Sequence, residues 1–382
     1  MENHENAKKH AIELNLKTNY LLLSISIILF KYSTISAQNQ SGSHLEMSLQ
    51  VVLDSARTSM EITGAAACVI FTDSFMWQGA SGLARPGSSV STNTAFELGS
   101  ISKIYTATTV LKLVAEGRLN LDDRLNTWFP NLPNSSSITL AQLLNHTHGL
   151  HDPLQEPDFV PAIMGNPTKM WTLDDLLTKM KDPYFEPGAG WHYSNTGFHI
   201  LGAIIEAVTD STFSDVLSTQ VLKPLKLDNT WYGAHDPDGK ELAVAYIDPF
   251  GSGDPKPVSL MMPWTAFRTS AGPAGAVVST ASDAAQFLHG LMTGSVLEEA
   301  EWNRMTNWVD RPDGYKYGAG LLQIKNEGRF LLGHKGNSAG YSASAFHDQS
   351  QGITIVVLTN AHAVDVTPIV TTLLQISTRI ER

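Results

Sequence analysis

Strand-like runs lie near the two ends of this chain, and its middle is helical. Residues 66–84 hold two apolar runs around a short polar turn, which predicts a hairpin. Residues 106–261 alternate helical runs with Pro/Gly loops, whereas short β-rich runs separated by Gly-containing turns follow residue 265. If the first hairpin joins the late strands in one largely antiparallel sheet, the helical middle is an insertion, and a groove separates two lobes.

These patterns predict an α+β fold, an antiparallel sheet flanked by helices with an inserted all-helical lobe. The predicted parts are a signal peptide (1–37), a linker (38–46), an α/β lobe (47–105 and 262–382) and a helical lobe (106–261). Thr139 and Gln142 form a predicted capping box at a helix start in the helical lobe. Gly117 is the predicted stop of the helix that follows the hairpin.

The longest apolar run, LLLSISIILF at residues 21–30, is too short to span a bilayer. Lysines precede it, and STISA ending at Ala37 follows it. This three-part pattern is typical of a secretory signal cleaved near Ala37, so we expect an exported protein, periplasmic or secreted, with no stable membrane span. Lys31 beside the run leaves an uncleaved anchor as an alternative, and a buried helix is another.

Charge and cysteine usage narrow the class of protein. The net charge is −11, and residues 1–37 carry four Lys and three Glu, so the rest of the chain has a net charge of −12. Such an acidic chain lacks the excess of basic residues with which proteins bind nucleic acid or an anionic membrane. Cys68 is the only cysteine and lies in an apolar run, so we expect a buried core residue and no intrachain disulfide.

Ser100-Ile101-Ser102-Lys103 forms an S-x-x-K sequence at the start of the helix after the hairpin. Residues i and i+3 share a helix face, and a serine hydroxyl needs a base within hydrogen-bond reach. Lys103 can be that base if burial lowers its pKa, and free N–H groups at a helix start suit a developing oxyanion. The sequence predicts Ser100 as a nucleophile, with a solvated polar pair as the alternative.

Tyr193-Ser194-Asn195 is a second short motif, in the loop before a helix of the middle region. A tyrosine beside a lysine ammonium can have a lowered pKa and act as general base or acid. The amide of Asn195 can orient a substrate carbonyl, or it can cap the helix that follows.

His334-Lys335-Gly336 is a third motif, on the edge of a predicted strand. Gly336 would let a substrate backbone approach closely. A surface strand end of mixed charge is the alternative interpretation.

Together the three motifs, with TAFELGSISK, ITLAQLLNHTHGL, FEPGAGWHYSNTGFHILG and GHKGNSAGY, resemble the serine β-lactamase and penicillin-binding-protein superfamily. The resemblance covers nearly all of the chain after the signal. It is greatest for the class C-like branch, which holds D-alanyl-D-alanine carboxypeptidases, D-amino-acid peptidases and family VIII esterases. It implies a β-lactamase/transpeptidase-like fold and a serine hydrolase that needs no cofactor or metal.

The resemblance also implies a role for each motif. Ser100 attacks a carbonyl of a small peptide, ester or β-lactam and forms an acyl-enzyme, which water releases. Lys103 and Tyr193 share the proton transfers, and the backbone N–H groups of Ser100 and Asn337 form the oxyanion hole. The remaining residues hold the substrate: Asn195, His334, Lys335 and Gly336.

The third motif departs from that of dedicated β-lactamases, with His334 in place of Lys and Lys335 in place of Thr. His at the first position resembles the peptidase members, so a D-Ala-D-Ala-type carboxypeptidase or D-amino-acid peptidase is expected. We expect Lys335 to supply a charge for a substrate carboxylate. A carboxylesterase with weak or no β-lactamase activity is one alternative, and an inactive penicillin-binding or peptidoglycan-sensing module is another.

Two competing motifs point to other chemistry. Residues 336–340 spell G-x-S-x-G, a nucleophile elbow at Ser338, but strand-like residues follow it instead of a helix. We therefore expect a turn there and retained activity in Ser338→Ala. A candidate zinc cluster ends the capped helix, and its members are His146, His148, His151 and Asp152.

Overall fold

The computed structural model describes residues 41–72, 75–234, 236–248 and 252–380. The predicted signal peptide and residues 38–40 of the predicted linker lie outside the described residues. The helices are α1 (Ser41–Ser59), α2 (Ser102–Ala115), α3 (Leu140–Asn145), α4 (Phe159–Gly165), α5 (Leu173–Leu177), α6 (Thr196–Thr209), α7 (Phe213–Leu217), α8 (Val258–Met261), α9 (Thr265–Gly275), α10 (Ala281–Met292), α11 (Glu299–Met305) and α12 (Thr367–Ile380). Within the described ranges, no helix is long and apolar enough to cross a membrane.

Among the described residues, the strands pair into one large sheet and two small ones. The strands are β1 (Gly64–Ile70), β2 (Met76–Arg85), β3 (Ser88–Ser89), β4 (Phe96–Glu97), β5 (Thr230–Tyr232), β6 (Tyr246–Ile247), β7 (Lys256–Pro257), β8 (Val277–Ser279), β9 (Val309–Asp310), β10 (Lys316–Tyr317), β11 (Leu322–Asn326), β12 (Arg329–Ser338), β13 (Tyr341–Asp348) and β14 (Ile353–Thr359). The large sheet is antiparallel, in the order β3-β2-β1-β14-β13-β12-β11-β10-β9.

The first hairpin joins the late strands through β1 and β14, which pair from Ala65 opposite Thr359 to Ile70 opposite Thr354. This pairing confirms the predicted α+β plan. Strands β1, β13 and β14 are buried along their whole length because helices cover both faces of the sheet. Cys68 is fully buried, as predicted, and burial raises the pKa of its thiol to about 12, so the thiol stays protonated.

Helix α1 begins inside the stretch predicted as a linker. Leu45 and Leu49 are buried in the apolar cluster that α1 forms with α12 and the sheet, and the Ser48 hydroxyl donates to the His44 carbonyl. The linker prediction is therefore wrong for residues 41–46, because apolar contacts continue the helix through a polar-looking stretch.

The local signals of the helical middle are confirmed. Thr139 accepts from the Gln142 N–H, and the Gln142 side chain accepts from the Thr139 N–H, which completes the capping box. Gly117 follows α2 with φ of +69°, a left-handed conformation that favours glycine. Strands are short there: β5 has three residues, and β6 and β7 have two each.

A small sheet of β4, β8 and β5 places the segment that leads into α2. Strand β4 pairs with β8, and beyond the pairing the Leu98 N–H donates to the Val277 carbonyl. β5 of the helical middle pairs with the other edge of β8. Through β8, the sheet thus joins β5 of the helical middle to β4, the strand that immediately precedes the turn carrying Ser100.

Candidate active site

Ser100 lies in a single turn of 3-10 helix, Gly99–Ile101, that runs directly into α2. Gly99 has φ of +52°, and a Cβ there would lie 2.6 Å from the Asn337 nitrogen. A Cβ at Gly336 would lie 1.9 Å from the Leu98 carbonyl oxygen. Both glycines are therefore required for the turn and β12 to meet backbone to backbone, and this contact brings Ser100 beside Asn337.

Residues 334–338 form the free part of the β12 edge. β11 pairs with β12 only from Arg329 to Gly333, whereas β13 pairs with β12 through Ser338. Beyond Gly333 the edge opposite β13 therefore has no strand partner among the described residues, and at Gly336 and Asn337 it contacts the Ser100 turn. Asn337 is exposed and Gly336 is buried against the turn.

Lys103 is fully buried and joins three parts of the site. Its Nζ lies 3.2 Å from Ser100 Oγ, 2.8 Å from Asn195 Oδ1 and 3.0 Å from the Ala274 carbonyl oxygen. Burial lowers the pKa of Lys103 from 10.5 to about 7, and the charge of Asp152 partly opposes this shift. A neutral amine has two N–H donors and one lone pair, so two carbonyl acceptors leave the lone pair for the Ser100 hydroxyl.

The Tyr193 ring presents its face to Lys103, whose Nζ lies 4.7 Å from the ring centroid. Burial raises the pKa of Tyr193 well above 10, and a side-chain hydrogen bond with Ser100 opposes only part of this rise. The phenol oxygen has no partner with full hydrogen-bond geometry among the described residues. The pKa of Tyr193 is thus raised where the sequence allowed a lowered one, because burial disfavours the phenolate and outweighs the hydrogen bond with Ser100.

Asn195 links Lys103 to Asp152. Its Oδ1 accepts from Lys103, while its Nδ2 and backbone N–H donate to Asp152 Oδ2 at 2.9 and 2.7 Å. Asn195 precedes α6, but its side chain makes no capping bond, so the capping alternative is wrong. Its amide orients the base, and contact with a substrate carbonyl stays a prediction.

Asp152 is a functional candidate that the sequence did not reveal as part of the serine site. It is fully buried, and besides Asn195 its carboxylate accepts from the Leu154 N–H at 3.1 Å and from Gln155 Nε2 at 3.0 Å. In the sequence, Asp152 is followed by Pro153, a pattern typical of a helix cap. This pattern does not indicate a contact with the site of Lys103, which lies 49 residues earlier.

His334 is buried and neutral. Its Nε2 lies 2.8 Å from the Tyr317 hydroxyl, and its Nδ1 bonds the Lys335 carbonyl. A carbonyl oxygen only accepts, so Nδ1 carries the proton and Nε2 accepts from Tyr317. Burial lowers the pKa of His334 to about 3, and the charge of Lys103 adds to the shift. The first position of the third motif therefore supplies no positive charge.

Two cations near the third motif are already paired. Lys335 Nζ lies 3.0 Å from Asp365 Oδ2, in a half-exposed ion pair at the start of α12. Arg311 binds both carboxylate oxygens of Asp313 and stacks on Trp191, 4.6 Å from the ring centroid. Sequence reasoning missed Arg311, and no local motif marks it.

The histidines of the candidate zinc cluster bind different partners. The Nδ1 of His146 accepts from the Ser194 N–H, that of His148 accepts from the Leu150 N–H, and His151 Nε2 lies 2.7 Å from Glu156 Oε1. The described ranges contain no group of three or more His, Cys, Asp or Glu side chains that could hold a metal. These separate hydrogen-bond partners argue against the zinc alternative.

Ser338 is the last residue of β12, and its hydroxyl donates to Glu97 Oε2 at 2.7 Å. A turn with Gly340 at φ of +81° follows, and then β13. The elbow alternative is wrong, because a nucleophile elbow needs a helix after the serine and a histidine partner.

Comparison with known proteins places the chain in a family. Residues 53–373 match the family model described as Beta-lactamase. Penicillin-binding protein 4 of Amycolatopsis lactamdurans is 27% identical over 335 residues, which is 80% of this chain and 83% of that protein. Esterase EstB of Burkholderia gladioli is 31% identical over 227 residues, 56% of this chain. The matches span 56% of the esterase and 61% of a penicillin-binding protein from Bacillus subtilis.

A solved structure extends the likeness to the whole fold. The D-amino acid amidase from Ochrobactrum anthropi SV3, in complex with L-phenylalanine amide, matches with a TM-score of 0.76 and 26% identity. The match covers 89% of this chain and all of the amidase. The chain belongs to the β-lactamase family, within the serine β-lactamase and penicillin-binding-protein superfamily. It is a serine hydrolase with the β-lactamase/transpeptidase-like fold predicted from its sequence.

Proposed function

We propose that Ser100 is the nucleophile of an acyl-enzyme mechanism and that neutral Lys103 is its base. The observation that carries the proposal is Lys103 Nζ, fully buried, with two carbonyl acceptors and Ser100 Oγ at 3.2 Å. With its pKa near 7, Lys103 is substantially deprotonated at neutral pH, as a general base must be. Desolvation in a closed site is one of the ways in which proteins activate such a base.

Lys103 and Tyr193, the two ionisable groups beside Ser100, have pKa values shifted in opposite directions. The lowered pKa suits Lys103 to accept a proton, and the raised pKa keeps Tyr193 protonated as a donor. Lys103 takes the proton of Ser100 Oγ as that oxygen attacks the substrate carbonyl carbon. The N–H groups of Ser100 and Asn337 then stabilise the oxyanion. Tyr193, held as a phenol, donates a proton to the leaving group, and Lys103 returns its proton to Tyr193. Water hydrolyses the ester on Ser100.

The charges around the third motif favour substrates without a free carboxylate beside the scissile bond. His334 is neutral, Lys335 is paired with Asp365 and Arg311 is paired with Asp313. A carboxypeptidase substrate ends in a carboxylate and needs an unpaired cation there. An amide or ester leaving group needs none.

We therefore propose that the enzyme is a peptidase or amidase for D-amino-acid amides and peptides, and that carboxylate-terminated D-Ala-D-Ala peptides are poorer substrates. The D-amino acid amidase supports the D-amino-acid class, since it aligns along its entire length with this chain. A short-acyl carboxylesterase is the second candidate, supported by the 31% identity to the esterase. β-Lactam hydrolysis is disfavoured, because the third motif holds a neutral histidine where a β-lactam carboxylate would meet a cation.

A rate panel tests this substrate class. We expect kcat/KM to fall in the order D-alanine p-nitroanilide, D-Ala-D-Ala dipeptide and nitrocefin, with the L-alanine p-nitroanilide as the stereochemical control. p-Nitrophenyl butyrate serves as the ester arm. Equal rates on the D and L anilides, or butyrate hydrolysis far above both, would replace the D-amino-acid assignment by the esterase assignment.

Asp365→Asn tests the role of the paired Lys335. The substitution removes the carboxylate charge but keeps the oxygen that accepts from the Thr367 N–H at 3.0 Å, so the start of α12 stays capped. We expect kcat/KM for the D-Ala-D-Ala dipeptide to rise about fivefold, which corresponds to roughly 1 kcal/mol of a half-exposed ion pair. The rate on D-alanine p-nitroanilide, which has no carboxylate, should stay within about twofold.

Asp175→Asn is the matched control. Asp175 pairs with Lys169 at 2.8 Å and also accepts from the Thr172 N–H at 2.9 Å, in a different part of the fold. It should leave the ratio of the two rates unchanged. An unchanged ratio in Asp365→Asn as well would show that Lys335 does not meet the substrate carboxylate.

We also propose that the protein is exported, on the basis of the basic segment, the apolar run and the STISA site before Gln38. Intact-mass analysis of the protein expressed in a bacterial host with its native N-terminus measures this. A mature chain that begins near Gln38 in the periplasm or medium is expected, and an unprocessed chain in the cytosol would contradict export.

A further inference from the structure

We infer that Glu97 and Ser338 are positioning residues, which fix the spacing between the two N–H groups of the oxyanion hole. This inference rests on the proposed acyl-enzyme mechanism at Ser100. The oxyanion donors, Ser100 and Asn337, belong to segments 237 residues apart in the sequence. One side-chain hydrogen bond, from Ser338 Oγ to Glu97 Oε2 at 2.7 Å, joins these two segments beside the donors.

Glu97 stands three residues before Ser100, and Ser338 stands one residue after Asn337. Glu97 is the last residue of β4 and Ser338 is the last residue of β12, so each ends a strand next to an oxyanion donor. Beyond Ser338 the chain turns back into β13. The hydroxyl of Ser338 thus ties the end of β12 to the strand that leads into the Ser100 turn.

The carboxylate of Glu97 is held rigidly from its other side. Oε1 accepts from Arg268 Nε at 2.9 Å and from Trp264 Nε1 at 3.0 Å. The side chains of Glu97 and Arg268 are 5% and 4% exposed, and Arg268 also donates to Asp236 at 2.7 Å. A buried, fully bonded carboxylate is a stiff anchor, because any movement would leave desolvated charges unpaired.

The neighbouring contacts do not define the spacing by themselves. Gly336 and Gly99 permit close backbone approach. They lack side chains, however, so they make steric contacts and no side-chain hydrogen bond across the gap. The opposite side of β12 is fixed by pairing with β13, where Ser338 stands opposite Tyr341. The bond from Ser338 to Glu97 is directed and crosses the gap between the turn and β12. Its loss would let the Asn337 N–H move away from the oxyanion, and a displacement of about 1 Å can cost up to about a hundredfold in rate.

The experiment compares Ser338→Ala, which removes the hydroxyl, with Ser338→Thr, which keeps one. The readouts are kcat and KM on p-nitrophenyl butyrate, the inhibition constant of phenylboronic acid, and the thermal unfolding midpoint. Phenylboronic acid adds to a serine oxygen and places an anionic oxygen in the oxyanion hole. We expect Ser338→Ala to lower kcat about tenfold and to weaken boronate binding by a similar factor, with KM within about twofold.

Ser338→Thr should restore both kcat and boronate binding to near the wild-type values. Ser81→Ala is the matched control, because Ser81 Oγ of β2 donates to Asp54 Oδ1 of α1 at 2.6 Å, away from the Ser100 turn. This substitution removes a serine–carboxylate hydrogen bond of the same kind and should change neither kcat nor the inhibition constant of phenylboronic acid.

Three results would overturn the inference: wild-type kcat and boronate binding in Ser338→Ala, a loss that appears equally in KM, or a loss that follows a lower unfolding midpoint and is not rescued by threonine. Failure of the mechanism itself has a different signature. If Ser100 is not the nucleophile, Ser100→Ala will remain active, whatever the effect of Ser338→Ala on kcat.

Discussion

Ser100→Ala should lower kcat/KM on p-nitrophenyl butyrate by about 10⁴-fold or more, because no acyl-enzyme can then form. The protein should stay folded. The hydroxyl of Ser100 is only part-buried, and Lys103 keeps its bonds to Asn195 and the Ala274 carbonyl when the hydroxyl is removed. Steady-state rates and the thermal unfolding midpoint measure the two effects separately.

Ser338→Ala provides the comparison that distinguishes the two serines. It should retain about a tenth of the activity. This is a partial loss where the sequence alone predicted retained activity, because removal of the hydrogen bond from Ser338 to Glu97 changes the position of an oxyanion donor. Activity of Ser100→Ala within about tenfold of wild type would remove the nucleophile from Ser100 and favour an unrelated site.

The pH dependence of kcat/KM should show an acidic limb with a midpoint near pH 7. Burial lowers the pKa of Lys103 to about 7, and the base acts in its neutral form, so the rate rises as the pH increases through this value. The pKa of Tyr193 is raised, so loss of its proton should not limit the rate until well above pH 10. A pH–rate profile of the wild type on an uncharged ester measures both limbs.

Asp152→Asn tests the cause of that midpoint. The carboxylate of Asp152 raises the pKa of Lys103 and opposes the effect of burial, so its removal should move the acidic limb to lower pH. Movement to higher pH, or a midpoint that stays in place, would show that Lys103 is not the group that titrates.

The same pKa shift has a consequence for stability. Lys103 has a pKa of about 7 in the folded protein and an ordinary value of 10.5. Between these values the unfolded chain binds a proton that the folded chain does not, so this lysine makes stability rise with pH across that window. Below the window both states are protonated and the full cost of the buried charge is present.

Features fixed by short-range geometry were predictable from the sequence. The spacing of Ser100 and Lys103 is one helical turn, and the capping box at Thr139 and the turn at Gly340 depend on residues a few positions apart. The structure brings Ser100, Lys103, Tyr193 and Asn195 together, and places β12 beside them. Their catalytic roles stay predictions.

What the sequence did not reveal depends on contacts between distant residues. Asp152 contacts Asn195 across 43 residues and Glu97 contacts Ser338 across 241, and no periodicity encodes either contact. The sequence predicts that the charge of Lys335 is available to a substrate carboxylate, but in the fold Lys335 forms an ion pair with Asp365. The pKa of Tyr193 depends on its burial, which a motif of three residues does not report.

Peptide mapping of the acyl-enzyme is the most direct test of the central claim. The enzyme is mixed with p-nitrophenyl butyrate, quenched with acid within the first turnover and digested, and the butyrylated residue is located by mass spectrometry. The account predicts a butyryl ester on Ser100 that disappears on longer incubation. A butyryl group on Ser338 or another residue, or turnover with no covalent adduct at any time, would contradict it.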